Sequence, residues 1–354
     1  MSDGTKISWT DATWNPVVGC TKVSAGCDHC YAIRTAHRMA ANPNPLVSQA
    51  YAGTEAGGEW TGKVNLLTDR LDQPLRWRKP RRIFVNAQSD LFHKDVPDDF
   101  IARVFAVMAL APQHTFQVLT KRHGRMRSLL SSDDFPRLVF AHAYHNGAED
   151  IGDADWGHED WPLSCVWLGV SVEDQAAADM RIPALLDTPA AVRFLSCEPL
   201  LGPMDLQMAV PRPCTCGPGQ TFLIGETRAH KTGCPALRWP FPDWVVVGGE
   251  SGPNARPMHP TWARSLRDQC QAAGVPFHFK QWGEWAPSNV YPNRGHLTDA
   301  HCVMHPAGMT AMTKSNPFNP FERGHPNWGQ PMRRVGKASA GRELDGRTWD
   351  EYPA

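Results

Sequence analysis

The sequence predicts an α/β fold, either a (β/α)8 barrel or a partial TIM-type barrel, on three observations. Short β-branched and apolar runs recur along the chain, helical patterns separate them, and polar or ionisable residues stand just past the runs. The runs are 16–19, 63–68, 82–87, 115–120, 166–171, 192–196, 244–248 and 276–281, eight in all. Strands that alternate with helices pair in parallel, and eight such units close, or nearly close, a barrel.

The clearest helix follows Pro97, where Asp98 and Asp99 mark a start. Phe100, Ile101, Val104, Phe105, Met108 and Ala111 then fall at helical spacing, and Pro112 ends the run. A second helix covers 260–273 and stops at Gly274, a natural C-cap. The pattern 173–186 supplies a third. The barrel is expected over 1–285 with two insertions. The first, 131–164, is acidic and His-rich and reads as a solvated excursion. The second, 202–242, is cysteine-rich and far longer than an ordinary connection. Residues 286–354 read as an irregular Pro/Gly/Trp-rich tail. Leu344, Trp349 and Tyr352 would dock it on the barrel, with a turn at Asp345-Gly346; alternatively Phe318, Phe321, Trp328 and Trp349, interleaved with Arg323, Arg333, Arg334, Lys337, Arg342 and Arg347, would grip a nucleic acid.

A chain of 354 residues can bury a substantial core. Basic and acidic residues balance at 36 each, which excludes a global basic field while leaving room for local patches. There is no N-terminal apolar h-region and no run long enough to span a bilayer, so the expected location is cytoplasmic, with no membrane partner. Ten cysteines, grouped rather than spread, fit metal binding in a reducing compartment better than a disulfide framework.

Three of them, Cys20, Cys27 and Cys30, occupy one Gly-containing loop with spacing C-x6-C-x2-C. Thiolates converging on one point repel unless a cation neutralises them. Zinc and iron–sulfur clusters are the two candidates. Structural zinc wants a fourth ligand, for which His29 and His37 are the nearby choices. A four-iron cluster on three cysteines leaves one iron open to a small molecule. A second set, Cys214, Cys216, His230 and Cys234, has the spacing C-x-C-x13-H-x3-C of a structural zinc site, with a Gly-Pro-Gly turn between its pairs.

The residues just past the runs form a rim. Asp90, Lys121, Arg122, Ser171, Glu173, Gly249 and Glu250 are the candidate cofactor-binding residues, and Cys197, Glu198 and Lys280 the candidate catalytic ones. Groups at the C-terminal ends of successive parallel strands share one mouth, where barrels of this kind keep their active sites. Both charge signs are present, which suits a zwitterion. Gly248 and Gly249 either let backbone approach a ligand closely or make a tight turn.

The strings WNPVVGC…GCDHCYA, SDLFHKDVP, LTKR, SCEPLLGP, VVGGESGPNARP and FKQWGEW resemble a family of phage and prophage three-cysteine-motif proteins. That family is distantly similar to radical S-adenosylmethionine enzymes, the spore photoproduct lyase group included. The likeness runs from about Ile7 to Trp285. It differs from the better-known C-x3-C-x2-C motif in its longer first gap and in placing Tyr31 after, not before, the last cysteine. The resemblance implies a [4Fe-4S] cluster on Cys20, Cys27 and Cys30, S-adenosyl-L-methionine bound at the open iron, and a 5′-deoxyadenosyl radical. It also implies an electron donor such as flavodoxin or ferredoxin, and a nucleobase or nucleic acid as substrate. Cys197 would then be a hydrogen-atom donor, as a cysteine is in the lyase group, or else a small buried thiol. The GGE at 248–250 follows the seventh run rather than the second, so the amino-group contact of the better-known enzymes does not carry over to it. Two other readings stand beside this one: a zinc-stabilised nucleic-acid-binding protein without turnover, and a hydrolase or transferase using Glu173, Glu198 and Glu250.

Overall fold

The computed structural model describes residues 5, 7–145, 160–206, 222–224, 227–229, 241–287, 301–307, 310–313 and 330–353. Seven strands, β1 (Ala12–Trp14), β2 (Arg82–Val85), β3 (Thr115–Thr120), β4 (Val166–Ser171), β5 (Val192–Cys197), β6 (Trp244–Gly248) and β7 (Phe277–Gln281), pair in chain order into one all-parallel sheet with β1 and β7 at its edges. The helices are α1 (Tyr31–Ala40), α2 (Pro45–Tyr51), α3 (Asp98–Ala109), α4 (His123–Leu130), α5 (Asp134–His145), α6 (Gln175–Leu186), α7 (Pro260–Ala273) and the short α8 (Lys337–Ala340). The protein is a mixed α/β fold whose sheet is compatible with a partial (β/α) barrel.

The expectation of eight barrel strands is corrected to seven in the sheet. The first strand lies upstream of 16–19, and its ladder stops at Trp14 because Pro16 has no N–H to donate. Val17–Val18 instead pairs antiparallel with Asn65–Leu66, which takes the 63–68 run out of the sheet as well.

Strand alternation sorts the side chains. Ile83, Val85, Phe116, Val118, Leu168, Val170, Leu195, Val245, Val247, Phe277 and Phe279 face the helix-covered side. There α3 buries Phe100, Ile101, Val104, Phe105 and Met108. Asp174 starts α6 by accepting the Ala177 N–H at 2.9 Å, and Gly274, at φ 68°, ends α7. Residues of the other parity face inward. At the N-terminal end of the strands Phe84, Phe194, Trp244 and Val246 pack around Trp9, whose ring lies 4.9 Å from Phe84 and 6.0 Å from Trp244. That aromatic plug fills one end of the sheet's interior and leaves the polar end to the C-terminal mouth.

Two further expectations change. Within the 131–164 excursion, α5 buries Phe135, Pro136, Val139 and Ala143 and belongs to the helix layer. The tail is not irregular throughout: Trp285–Pro287, Gln330–Arg334, His301–Met304 and Thr310–Thr313 form a four-stranded antiparallel sheet in that spatial order. Past α8, Leu344 and Trp349 are buried, and Asp345 and Gly346 turn the chain at φ 54° and 79°. The following residues run along the free edge of β7. Phe279 N–H donates to Trp349 O at 3.0 Å, Trp244 Nε1 donates to Glu351 O at 2.8 Å, and Tyr352 Oη donates to Ser8 O at 3.3 Å. Arg82 stacks over the Tyr352 ring at 4.4 Å. A strap of C-terminal chain thus reaches from the β7 edge to the β1–β2 side. Cys214, Cys216, His230, Cys234, Phe318, Phe321, Arg323 and Trp328 lie outside the described residues.

Candidate functional site: a cysteine loop clamped over the strand ends

The cysteine loop leaves β1 beside the end of β2. Ser89 Oγ donates to Val17 O at 2.8 Å, and the Val17 N–H donates to Asn86 Oδ1 at 3.2 Å. Gly19 then turns at φ 92°, where a Cβ would stand 2.2 Å from Lys63 O, so no other residue fits. The loop passes through one turn of 3-10 helix, Ala25–Cys27, and Cys30 caps the N-terminus of α1. Burial holds the Cys30 thiol above its ordinary value.

Three sets of strand-end charges hold this loop. The first is Asp90, which is buried and accepts from Thr120 Oγ1 (2.7 Å), Lys121 N (3.0 Å) and Arg122 Nη1 (3.1 Å). Oriented in this way, Arg122 donates to Thr21 Oγ1 at 2.6 Å and Thr21 O at 3.2 Å, and lies 3.8 Å from Cys20 Sγ. His93, wholly buried, meets the same Thr21 hydroxyl at 3.0 Å.

Glu173 makes the second clamp. It is 1% exposed, accepts from Ser24 Oγ at 3.0 Å and pairs with Lys121 at 3.1 Å and Arg181 at 3.0 Å. Gly26 rests directly on it, since a Cβ at that position would meet Glu173 Oε1 at 2.4 Å. Burial alone would raise the Glu173 carboxyl, but Lys121 and Arg181 outweigh it and hold the group below the usual range.

Glu250 and Arg256 form the third. Arg256 donates to Glu250 through Nε (2.9 Å) and Nη2 (2.7 Å), and to Ala25 O at 2.8 Å. His29 Nδ1 stands 3.1 Å from Glu250 Oε2. Burial pushes Glu250 up, and the Arg256 and His29 hydrogen bonds more than reverse it.

The residues expected to bind cofactor therefore divide. Asp90, Arg122, Glu173 and Glu250 are engaged with the loop and with one another, because a charge this buried must be paired. Lys121 keeps partial exposure beside them. Gly249 is explained by backbone packing: a Cβ would lie 1.9 Å from Trp282 O. Ser171 ends β4 with inward parity, as do Gly248 and Lys280 in their strands. Lys280 and Glu198 form a 2.6 Å ion pair at the mouth, and Gln281 Nε2 donates to Glu198 at 3.0 Å and to Ser251 Oγ at 3.0 Å. Cys197 is not brought to this mouth. It has the opposite parity, lies wholly buried in the helix-covered core and feels Cys270 of α7; burial holds its thiol far above the ordinary value.

Cys20, Cys27 and Cys30 are free and half-buried. Among the described residues no three His, Cys, Asp or Glu side chains stand together as a metal-binding group as they are placed. Cys27 nevertheless lies close enough to Cys20 and Cys30 to disfavour charge on each. Burial, reinforced by Asp90 and opposed by Arg122, pushes Cys20 up to about 12. Sequence reasoning missed Arg256, Arg181, Ser24 and His93. Arg181 sits mid-helix and Arg256 in a loop six residues past Glu250, so neither carries a positional signal.

An α/β sheet with a clamped three-cysteine loop at its strand ends defines the class. A family described as "Protein of unknown function (DUF5131)" matches residues 4–353, and the chain belongs to it. No curated protein and no solved structure matches the chain.

Proposed function

We propose that the protein is a radical S-adenosylmethionine enzyme whose cluster is held by Cys20, Cys27 and Cys30, acting on a nucleobase or nucleic acid. The observation that carries the reading is the loop itself: three free thiols over the C-terminal strand ends, fixed from below by three sets of buried charges. The donor set fits a thiophilic centre. Three soft ligands share one short loop, and the burial that keeps Cys20 protonated is a cost that a bound cation offsets. When bound, a [4Fe-4S] cluster supplies the electron that cleaves S-adenosyl-L-methionine to methionine and a 5′-deoxyadenosyl radical. The chain's own work is positioning. Arg122 orients the Cys20 side of the loop, Glu173 its middle, and Arg256 with Glu250 the approach to Cys30. The Lys280–Glu198 pair, with the Gln281 amide, offers donors and an acceptor at the mouth. A flavodoxin or ferredoxin would be the electron donor.

Anaerobic incubation of iron-reconstituted protein with dithionite and S-adenosylmethionine tests this, with 5′-deoxyadenosine as readout. Formation is expected in the wild type and loss of both iron and product in Cys20→Ala, Cys27→Ala and Cys30→Ala. Full iron retention in any one of these variants sinks the ligand assignment.

One observation favours a second reading, zinc on the same loop in a nucleic-acid-binding protein without turnover. His29 is oriented by a carboxylate through Nδ1, the outer arrangement common to zinc-ligating histidines. Metal analysis after anaerobic purification separates iron from zinc. Glu173, Glu198 and Glu250, the acids of the hydrolase or transferase reading, are each paired with a cation.

A further inference from the structure

On the inward face of the sheet two hydroxyls stand side by side with nothing to bond. Ser171 and Ser196 are register partners on β4 and β5, and they share the parity of Trp167 and Phe194, which pack in the plug below them. They are 3% and 2% exposed, yet neither hydroxyl has a hydrogen-bond partner among the described residues, and neither oxygen is sealed from solvent. A hydroxyl taken out of bulk water without a partner costs free energy, so two together at a mouth call for a guest that bonds them. The next inward position after Ser196 is Glu198. It lies across Gly248, where a Cβ would meet its carboxylate at 3.2 Å, and pairs with Lys280.

Tyr31, directly after Cys30, supplies a wall. Its hydroxyl donates to Ala87 O at 2.6 Å, and Ala87 packs against the plug, so the side chain reaches from the cysteine loop into the mouth. The ring is 49% exposed but has protein around it, as a group in a concavity does: burial raises its hydroxyl above the ordinary value, and Cys30 and Glu198 add to this. An aromatic face tethered at its tip and open to solvent is a stacking platform.

Charge narrows the kind of guest. Lys121 and Arg181 are engaged by Glu173, Arg122 by Asp90, Arg256 by Glu250 and Lys280 by Glu198, so none of these cations stands open for a phosphate. The groups without partners are neutral hydroxyls beside an aromatic face. That combination suits an uncharged planar ring with donors and acceptors along its edge.

We infer that Ser171, Ser196 and Tyr31 form a site for an uncharged nucleobase, whose edge bonds the two hydroxyls while its face stacks on the Tyr31 ring and any phosphate stays outside. This deepens the proposed function and rests on its mouth as the place of the substrate. The base belongs either to a free nucleoside or to an unpaired position of a single-stranded oligonucleotide, and both carry the same chemistry.

The test is equilibrium dialysis of full-length, anaerobically purified protein against radiolabelled guanosine, cytidine, thymidine and adenosine, and against a labelled 12-nucleotide single-stranded oligonucleotide of mixed sequence. An abasic oligonucleotide of the same length, inorganic phosphate and S-adenosylmethionine serve as competitors. Ser171→Ala and Ser196→Ala are each expected to weaken binding about threefold to tenfold, the loss of one neutral hydrogen bond. Both variants should melt at or above the wild-type temperature, because the deleted hydroxyl has no partner in the free protein. A purely structural role for either serine would give the reverse, lower melting with binding intact. Tyr31→Leu weakens binding about fivefold or more through lost stacking, and Tyr31→Phe, which keeps the ring without its tether, falls between. Arg38→Gln, exposed on α1 and outside the site, stays within about twofold of wild type. Nucleoside binding assigns the site to a free base, and oligonucleotide binding without nucleoside binding assigns it to a base presented by a chain; either supports the inference. Three results overturn it: no probe bound by wild type, binding unchanged in both serine variants or in Tyr31→Leu, or competition by the abasic oligonucleotide or by phosphate equal to that of the intact oligonucleotide. If adenosine alone binds and S-adenosylmethionine displaces it, the site belongs to that molecule's adenine and the inference is also lost. Iron content and 5′-deoxyadenosine are measured on the same samples. Their absence with base binding intact removes the radical reading and leaves the base site standing.

Discussion

Replacing Glu173 with glutamine tests the claim that strand-end charges hold the cysteine loop. In the native protein the Ser24 hydroxyl donates to this buried carboxylate at 3.0 Å. A hydrogen bond to a charged acceptor contributes about 1.5–3 kcal/mol. Losing most of that raises the population of the opened loop by roughly 10–150-fold, at about 1.4 kcal/mol per factor of ten. Amide exchange at Cys27 and Asp28 reads this directly, because their N–H groups close the loop's own turn onto Ser24 O (2.8 Å) and Ala25 O (3.2 Å). The substitution also leaves Arg181 and Lys121 without their counter-charge, so global stability falls by about 3–5 kcal/mol. Glu173→Gln/Lys121→Met separates the two effects. It recovers part of the global loss but not the loop protection, since Ser24 still faces a neutral acceptor. Exchange at Cys27 and Asp28 unchanged within about twofold in Glu173→Gln would refute the clamp.

Gly249→Ala is expected to cost more than about 4 kcal/mol or to prevent folding, because its Cβ would fall on the Trp282 carbonyl, where nothing flexible can yield; soluble protein with wild-type urea resistance would contradict this. Trp349→Ala should cost about 3–5 kcal/mol and make the strap protease-sensitive, since the ring is buried against Phe277 at 5.8 Å; limited proteolysis reads the outcome. Burial lowers His278 from 6.5 to about 4, so the unfolded chain takes up the proton first. Its contribution, at most about 3 kcal/mol, is whole above pH 6.5 and is lost as pH falls toward 4. His278→Phe should flatten the stability profile in that window and leave the profile above pH 7 parallel to wild type; His259, also held near 4, keeps some slope.

What could be read in the sequence follows from how buried parallel strands look. The 166–171 run is a nearly continuous apolar stretch, the 115–120 run sets Phe, Val and Leu among Thr and Gln, and both are strands at those positions. β1 escaped because three residues, Ala-Thr-Trp, carry no periodicity, while the neighbouring Val-Val pair, more strand-like in composition, sits in a small ribbon. The cysteines and the strand-end acids could be found because position along the chain marks them. Their pairing could not. Whether Glu173 faces a ligand or Ser24 depends on how a loop 149 residues away folds back, and spacing holds no information on that. The same limit made Cys197 look like a mouth residue, although one step of strand parity turns it to the helices.

The strap along β7 bears on how the protein is made. Seven parallel strands and their helices precede 344–352 in the chain, so during synthesis the β7 edge emerges with its backbone groups unpaired and with Phe277 and Trp244 incompletely covered. Only when Trp349, Glu351 and Tyr352 follow is that edge occupied and tied back to Ser8 near the other end of the chain. The interval between the two events is when a nascent chain of this protein is most exposed to pairing with a neighbour. A ribosome stalled before residue 344 would hold it there.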